Sequence, residues 1–242
     1  MSDNSLTKMI RLAVDKYGYI NTSRLKKYLL NAHVSFSDPV LRQTVHRLMK
    51  RRNIYDAGQG WYSSLETEYS LHTAPVEEDV EVLEEEFPFL EFCVWSNQQI
   101  ASHYHHLPTK FLIFIHTEKN TQEAVFNFLL SQEKHAYLDP KTTNMQNFHQ
   151  KKYTYIVRSS IPRQPCSNHF ATVEKILVDL HVENEKFNLM GEEEFRTILF
   201  NIAAPARIQV SRLLSYSHER NRRDIFEEYI QWLQHQLKNQ GA

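Results

Sequence analysis

The stretch Ser37-Asp-Pro-Val-Leu-Arg-Gln-Thr-Val-His-Arg-Leu-Met-Lys-Arg-Arg52 decides how the first part of the chain folds. Its first two residues can accept hydrogen bonds from the free backbone N–H groups of a helix start, and Pro39 suits the first turn because it lacks an N–H. Leu41, Val45 and Leu48 recur at helical spacing and therefore share one apolar face. We predict a single helix here, with one buried side and a defined beginning.

The other side of this helix carries positive charge and long hydrogen-bond donors. Its residues are Arg42, Gln43, His46, Arg47 and Lys50, and Arg51 and Arg52 follow directly. A helix that lies in the major groove of DNA needs such a face, in which Lys and Arg contact phosphates and Gln43, His46 and Arg47 contact base edges. The solvated face of a core helix has the same pattern, so the flanking sequence must decide.

The flanking sequence predicts two more helices and a hairpin. Apolar residues recur at helical spacing over residues 6–14 and again over 25–29. Residues 53–62 form two short apolar and aromatic runs around a turn with two glycines, which is a hairpin signal, with Gln59 at its tip. Three helices and a hairpin within residues 1–64 predict a winged helix-turn-helix domain. The alternative is a small winged helix that makes only protein contacts.

Charge is unevenly distributed, although the whole chain has a net charge of only −1. Residues 1–62 hold eleven Lys or Arg and four Asp or Glu, a net charge of +7. Residues 63–109 hold ten acidic residues and no Lys or Arg. This asymmetry indicates a basic module that binds a polyanion, followed by an acidic connector at residues 65–87. We interpret the connector as a solvated linker or exposed helix; the alternative is that it folds against the basic module and competes with DNA.

Strands and helices alternate over residues 88–242, which predicts a layered α/β domain that ends in a helical segment. Strands are expected at 89–95, 110–117, 136–138 and 153–157, with a weakly helical stretch between the last two. In the helix at 172–180, apolar residues form the inner stripe and Glu174, Lys175 and Asp179 are expected outside. The predicted fold class is therefore α/β (α+β), with a winged helix-turn-helix in front of a layered domain.

The order of these parts resembles that of AbiEi-like antitoxins of type IV toxin–antitoxin systems. The segments that carry the resemblance are Phe92-Cys-Val-Trp-Ser96, Lys110-Phe-Leu-Ile-Phe-Ile-His-Thr-Glu-Lys119, Glu123-Ala-Val-Phe-Asn-Phe-Leu129, Thr172-Val-Glu-Lys-Ile-Leu-Val-Asp-Leu180 and Ala206-Arg-Ile-Gln-Val-Ser-Arg-Leu-Leu-Ser-Tyr216. The resemblance implies a bacterial phage-defence antitoxin that binds the promoter DNA of its own operon and represses it. It also implies a cognate nucleotidyltransferase-type toxin, which need not be held in a stable complex.

No pattern typical of an enzyme stands out, and we predict neither catalysis nor a cofactor or metal site. Acidic residues of a metal-dependent nuclease should alternate along a strand, and the strand at 110–117 carries none. The histidines at 103, 105 and 106 lack a carboxylate at a suitable spacing for a metal. Cys93 lies in an apolar run and is expected to be a buried thiol, without metal-ligand spacing to Cys166.

Compartment and competing functions follow from the same features. The polar start, the lack of any apolar run of about 20 residues and the absence of a disulfide framework predict a cytoplasmic protein without membrane contact. Two other functions stay open: a stand-alone regulator whose second domain senses a ligand, and a nuclease targeted by the winged helix. The oligomeric state does not follow from the sequence.

Overall fold

The structure, a computed structural model, describes residues 3–140 and 148–240 and has a mixed α/β fold with two sheets. This confirms the predicted mixed α/β (α+β) class. The weakly helical stretch expected before the fourth strand of the second module lies largely outside the described residues. Within the two described ranges, no helix combines the length and the apolar character that crossing a membrane requires.

The chain divides into two compact units, which are described separately. The first unit is Met1–Tyr69 with Phe200–Ser215 and Arg222–Ala242, and the second is Ser70–Leu199 with Tyr216–Asn221. The domains expected from sequence, 1–64, 65–87 and 88–242, do not coincide with these units. The reason is that much of the C-terminal helical segment belongs with the N-terminal residues.

The N-terminal part of the first unit has the expected three helices and a hairpin. Its elements are α1 (Asp3–Tyr17), β1 (Tyr19–Asn21), α2 (Thr22–Asn31), α3 (Asp38–Lys50), β2 (Tyr55–Asp56) and β3 (Trp61–Ser63). The three strands form an antiparallel sheet in the order β1-β3-β2. The apolar stripes of the three helices meet in one core, in which Ile10, Leu25 and Ile54 are fully buried.

Buried and partly buried hydrogen bonds hold the C-terminal segments in the first unit. The Tyr19 hydroxyl lies 2.9 Å from the carbonyl oxygen of Ala203, and the side-chain amide of Gln234 donates to the carbonyl of Tyr19 at 2.6 Å. The Arg207 guanidinium donates to the carbonyl oxygen of Leu65 at 2.6 Å. Because buried polar groups need partners, these bonds fix which segments pack together.

A six-stranded sheet in the order β6-β7-β5-β4-β9-β8 forms the centre of the second unit. The strands are β4 (Phe92–Ser96), β5 (Phe111–Thr117), β6 (Ala136–Leu138), β7 (Tyr153–Ser159), β8 (Cys166–Ser167) and β9 (Phe170–Ala171). The unit also contains α4 (Ala74–Glu86), α5 (Gln122–Ser131), α6 (Val173–Phe187) and a 3-10 helix (Asn97–His103). The last helices are α7 (Glu192–Ala203), α8 (Val210–Glu219) and α9 (Arg223–Gln240), of which α7 and α8 each divide between the units. As expected, β5 is central, between β4 and β7.

The acidic connector is not a solvated linker, because much of it is the core helix α4. Val76, Val80 and Leu83 recur at helical spacing and are buried against one face of the sheet. The glutamates of α4 lie on its exposed side. The many acidic residues made a narrow apolar stripe easy to overlook in the sequence. Burial of this stripe against the sheet places α4 in the core.

Candidate functional site

The outer face of α3 presents the side chains that the sequence predicted for DNA binding. Leu41, Thr44, Val45 and Leu48 are buried, and the opposite side faces solvent. Of the eight predicted residues, Arg47 is half-buried and seven are exposed, namely Arg42, Gln43, His46, Lys50, Arg51, Arg52 and Gln59. A helix of 13 residues is about 20 Å long, which suits the major groove.

The one acidic residue of α3 is neutralised by a neighbour. The Lys26 Nζ lies 2.7 Å from an Asp38 carboxylate oxygen. The hydrogen bond and charge of Lys26 lower the pKa of Asp38, so that this carboxylate stays ionised and paired. Asp38 lies at the start of the helix, where its negative charge also favours the helix dipole. The remaining charged side chains of α3 and of the two residues after it are all basic.

The hairpin turn places Gln59 in solvent beside the start of α2. The Trp61 N–H donates to the carbonyl of Gly58 at 2.9 Å, which closes the turn. The Thr22 N–H donates to the carbonyl of Gly60, also at 2.9 Å, and this bond attaches the turn to α2. The turn is therefore short and fixed, and Gln59 is the residue at its exposed tip.

Positive charge is concentrated in the unit that contains α3. The first unit holds sixteen Lys or Arg and nine Asp or Glu, a net charge of +7. The second unit holds twelve Lys or Arg and twenty Asp or Glu, a net charge of −8. The C-terminal segments that join the first unit do not reduce its positive charge. The charge asymmetry noticed in the sequence therefore follows the compact units of the fold.

A second group of functional candidates, missed in the sequence, is a polar row across the sheet of the second unit. Strand register pairs Cys93 of β4 with His116 of β5, and His116 with Arg158 of β7. The neighbouring residues Val94 and Ile115 lie in the apolar core on the α4 side. Because side chains alternate along a strand, the row lies on the opposite face, which α6 covers.

Three charged residues of α6, namely Lys175, Asp179 and Glu183, are spaced four apart and so lie on the side of the helix that contacts this row. The Lys175 Nζ lies 2.5 Å from the Asp179 carboxylate and 3.1 Å from the His116 Nδ1. The Arg158 guanidinium lies 2.6 Å from the Glu183 carboxylate.

Tyr216 of α8 and Arg220, which directly follows α8, complete this cluster. The Tyr216 hydroxyl donates to Asp179 at 2.9 Å, and the Arg220 guanidinium lies 3.2 Å from the carboxylates of both Asp179 and Glu183. We call the set Lys175, Asp179, Glu183, His116, Arg158, Tyr216 and Arg220 the buried ionic cluster.

Burial and charge shift the titration of this cluster. Desolvation, aided by Lys175 and the two arginines, holds the pKa of His116 well below its usual value, so that its ring is neutral and Nδ1 accepts from Lys175. Burial raises the pKa of Glu183, although Arg158 and Arg220 oppose the shift. Burial also raises the pKa of Tyr216, which remains a hydroxyl donor.

The expectation that Glu174, Lys175 and Asp179 face solvent is wrong, because all three are buried. The helix α6 is enclosed nearly all round, and its polar side is matched by Arg158 of β7, the neutral His116 of β5 and Arg220 rather than by water. The sequence of the strands did hold a signal: His116 and Arg158 are polar residues in mainly apolar strands, where Arg in particular is rarely buried unless it is paired.

Within residues 3–140 and 148–240, no group of three or more His, Cys, Asp and Glu side chains could hold a metal ion. A family model, that of the family of unknown function DUF6577, matches residues 40–236. The match begins inside α3 and extends into α9, so it includes the hairpin and the whole described second unit. No curated protein matches the chain. The chain belongs to the DUF6577 family.

Proposed function

We propose that the protein is a DNA-binding autorepressor and an AbiEi-like type IV antitoxin that counteracts a nucleotidyltransferase-type toxin. The observation that carries DNA binding is the outer face of α3, on which basic and amide side chains are exposed and the single carboxylate is paired with Lys26. The antitoxin role rests on the resemblance of segments that form β4, β5, α5, α6 and α8. The protein acts in the cytoplasm in this proposal.

In the proposed complex, α3 enters the major groove of promoter DNA as the recognition helix of a winged helix-turn-helix. Lys50, Arg51 and Arg52 at the end of the helix bind phosphates, and each neutralised phosphate releases counterions. Gln43, His46 and Arg47 contact base edges, whose donor and acceptor pattern distinguishes the four base pairs. Gln59 at the tip of the hairpin contacts the adjacent backbone or minor groove.

Gel-shift titration of DNA from upstream of the gene tests this assignment. Lys50→Ala should weaken binding to all sequences similarly, because a phosphate contact carries no sequence information. Gln43→Ala should reduce discrimination between the operator and mutated operators by about 1–3 kcal/mol. Lys8→Ala, which removes an exposed lysine from α1, is the matched control and should bind as the wild type does. Equal loss in Lys8→Ala and Lys50→Ala would refute a role specific to α3.

Co-expression with the adjacent gene tests the antitoxin role, scored as rescue of growth. Point substitutions serve better than truncation, because the first unit is assembled from three separate segments of the chain. We expect the double variant Arg47→Ala, Lys50→Ala to lose repression and still rescue growth. A neighbouring gene that is toxic and is not counteracted by the wild type would contradict the antitoxin role while leaving DNA binding intact.

A further inference from the structure

The two cysteines, far apart in sequence, meet at one edge of the second unit. Cys93 is fully buried in β4, whereas Cys166 in β8 is partly exposed. The Cys166 Sγ lies 3.9 Å from the carbonyl oxygen of Phe92, the residue before Cys93, and the Cys93 thiol is close enough to lower the pKa of Cys166. Both thiols are free.

Cys166 is accessible through a surface cavity of about 480 Å³. The cavity is lined by Cys166 and His169, with Glu91, Glu118, Ser160 and Gln164. The His169 ring stacks on Phe92 at 4.0 Å between ring centroids and is held by a 3.0 Å contact from Nδ1 to the Phe92 carbonyl oxygen. A small molecule can thus reach the sulfur of Cys166, whereas the sulfur of Cys93 is buried and does not line the cavity.

The surroundings give the two thiols different acidities. A hydrogen bond from Cys93 lowers the pKa of Cys166; Lys175 and the Ser167 backbone also lower it, whereas burial and Glu91 oppose them. Burial raises the pKa of Cys93 well above its usual value. A thiolate is the attacking species in exchange, so the outer sulfur of Cys166 is the one suited to the first attack.

We propose that Cys166 and Cys93 form a redox-active dithiol, in which Cys166 attacks a low-molecular-weight disulfide such as oxidised glutathione and Cys93 resolves the product. The Cys166 thiolate attacks one glutathione sulfur, the glutathione S–S bond breaks, and one glutathione thiolate leaves. Cys93 then attacks the Cys166 sulfur and displaces the second glutathione, whose departing sulfur takes up the Cys93 proton, so that it leaves as the thiol. Two protein thiols are oxidised, and one disulfide is reduced to two thiols.

Formation of the Cys93–Cys166 disulfide would covalently join β8 to β4 beside the buried ionic cluster. Lys175, which lowers the pKa of both cysteines, is also the residue that contacts His116 and Asp179. The dithiol therefore lies at the end of the polar row Cys93–His116–Arg158. This inference concerns the second unit alone and does not depend on DNA binding.

Intact-mass analysis of the native protein after incubation with oxidised glutathione tests the proposal. The wild type should lose the mass of two hydrogens and carry no lasting adduct. Cys93→Ser should accumulate one glutathionyl group on Cys166, because the resolving thiol is missing. Cys166→Ser should stay unmodified, because Cys93 is buried. The initial rate of the first attack in the wild type should be half-maximal at a pH below the usual pKa of about 8.5 for free cysteine.

Three outcomes would overturn the proposal: a lasting adduct on the wild type, no reaction of the native wild type, or modification of Cys93 in Cys166→Ser at the wild-type rate. Circular dichroism melting of each variant identifies any that does not fold. The result for the wild type is decisive by itself, because peptide mapping shows whether the new disulfide joins Cys93 to Cys166. Adding dithiothreitol should restore the starting mass.

Discussion

At the scale of single residues, Arg52 combines a proposed DNA contact with an unfavourable backbone conformation. It follows α3 with φ +56°, a left-handed conformation that costs a residue with a Cβ about 1–2 kcal/mol. Its N–H donates to the Met49 carbonyl at 2.9 Å and so closes the helix end, a position where glycine is favoured. A contact between the Arg52 guanidinium and a DNA phosphate would explain why this position holds arginine although glycine would fit the backbone better.

Arg52→Gly should therefore raise the free energy of unfolding by about 1 kcal/mol and weaken DNA binding at the same time. The matched control is Arg51→Gly, which removes the same charge at φ −88°, where glycine brings no relief of strain. Urea denaturation and gel shift measure the two effects separately. Equal stability changes in the two variants, or wild-type DNA affinity of Arg52→Gly, would be inconsistent with this account of Arg52.

Asp179 is the residue on which the buried ionic cluster depends most. Its carboxylate contacts Lys175, Tyr216 and Arg220 and is fully buried. Asp179→Ala leaves buried positive charge unpaired and should lower the free energy of unfolding by about 3–5 kcal/mol. Breaking the exposed pair of Glu192 with Arg196 by Glu192→Ala should cost at most about 0.5 kcal/mol. Chemical denaturation that finds similar costs for both would show that the cluster is not a buried charge network.

At the scale of elements, the hairpin turn between β2 and β3 holds two glycines with different surroundings. Both have positive φ, +97° at Gly58 and +73° at Gly60. A Cβ on Gly58 would overlap the Ser211 side chain at the start of α8, whereas a Cβ on Gly60 would be 3.6 Å from the nearest atom, the Thr22 Oγ1. Only Gly58 therefore has both a conformational and a packing reason to lack a side chain.

Gly60→Ala should lower the free energy of unfolding by about 1 kcal/mol, through backbone strain alone. Gly58→Ala should cost more, on the order of 2–4 kcal/mol, because overpacking adds to the strain. Thermal or urea denaturation of the two variants makes the comparison. Equal decreases in the free energy of unfolding for the two variants would disprove the packing of Gly58 against Ser211 of α8.

How much of each element the sequence predicts depends on where its partners lie. The stripes of α1, α2 and α3 are local signals, so those helices and their buried faces were predicted correctly. In α4 the local signal is only a narrow apolar stripe among glutamates, whereas the burial of α6 depends on residues far away in sequence, because its buried charges pair with Arg158 of β7 and with Arg220. No periodicity within one helix reveals such partners.

At the scale of the whole molecule, burial of a neutral histidine makes stability depend on pH. The pKa of His116 is lowered in the folded chain, so below about pH 6.5 the unfolded chain binds a proton that the folded chain does not. The free energy of unfolding should then fall as the pH falls from about 6.5 towards the lowered pKa, by up to about 1.4 kcal/mol per pH unit. The raised pKa of Glu183 acts in the opposite direction, because the folded chain then binds the extra proton.

His116→Asn, which keeps a hydrogen-bond acceptor for Lys175, should flatten this dependence. Urea denaturation at a series of pH values from about 7 to 5, compared between wild type and variant, isolates the contribution of His116 from that of the other histidines. A wild-type stability that does not change relative to the variant over this interval would mean that the fold does not lower the pKa of His116.

The assembly of the chain was the least predictable feature. The first unit recruits residues more than a hundred positions away, through Tyr19 to Ala203 and Leu65 to Arg207, and these bonds have no counterpart in local sequence patterns. The exposed face of α3, by contrast, follows from the spacing of apolar residues within that one helix. The proposed DNA-binding residues could therefore be found from the sequence, whereas the buried ionic cluster required the fold.

The most direct test of the central claim, that the outer face of α3 binds DNA, is the salt dependence of affinity for the upstream DNA. The logarithm of the binding constant should fall linearly with the logarithm of salt concentration, and Lys50→Ala should reduce the slope by about one. The Lys8→Ala control should leave the slope unchanged. An affinity that is insensitive to salt, or a slope that Lys50→Ala does not alter, would contradict the claim.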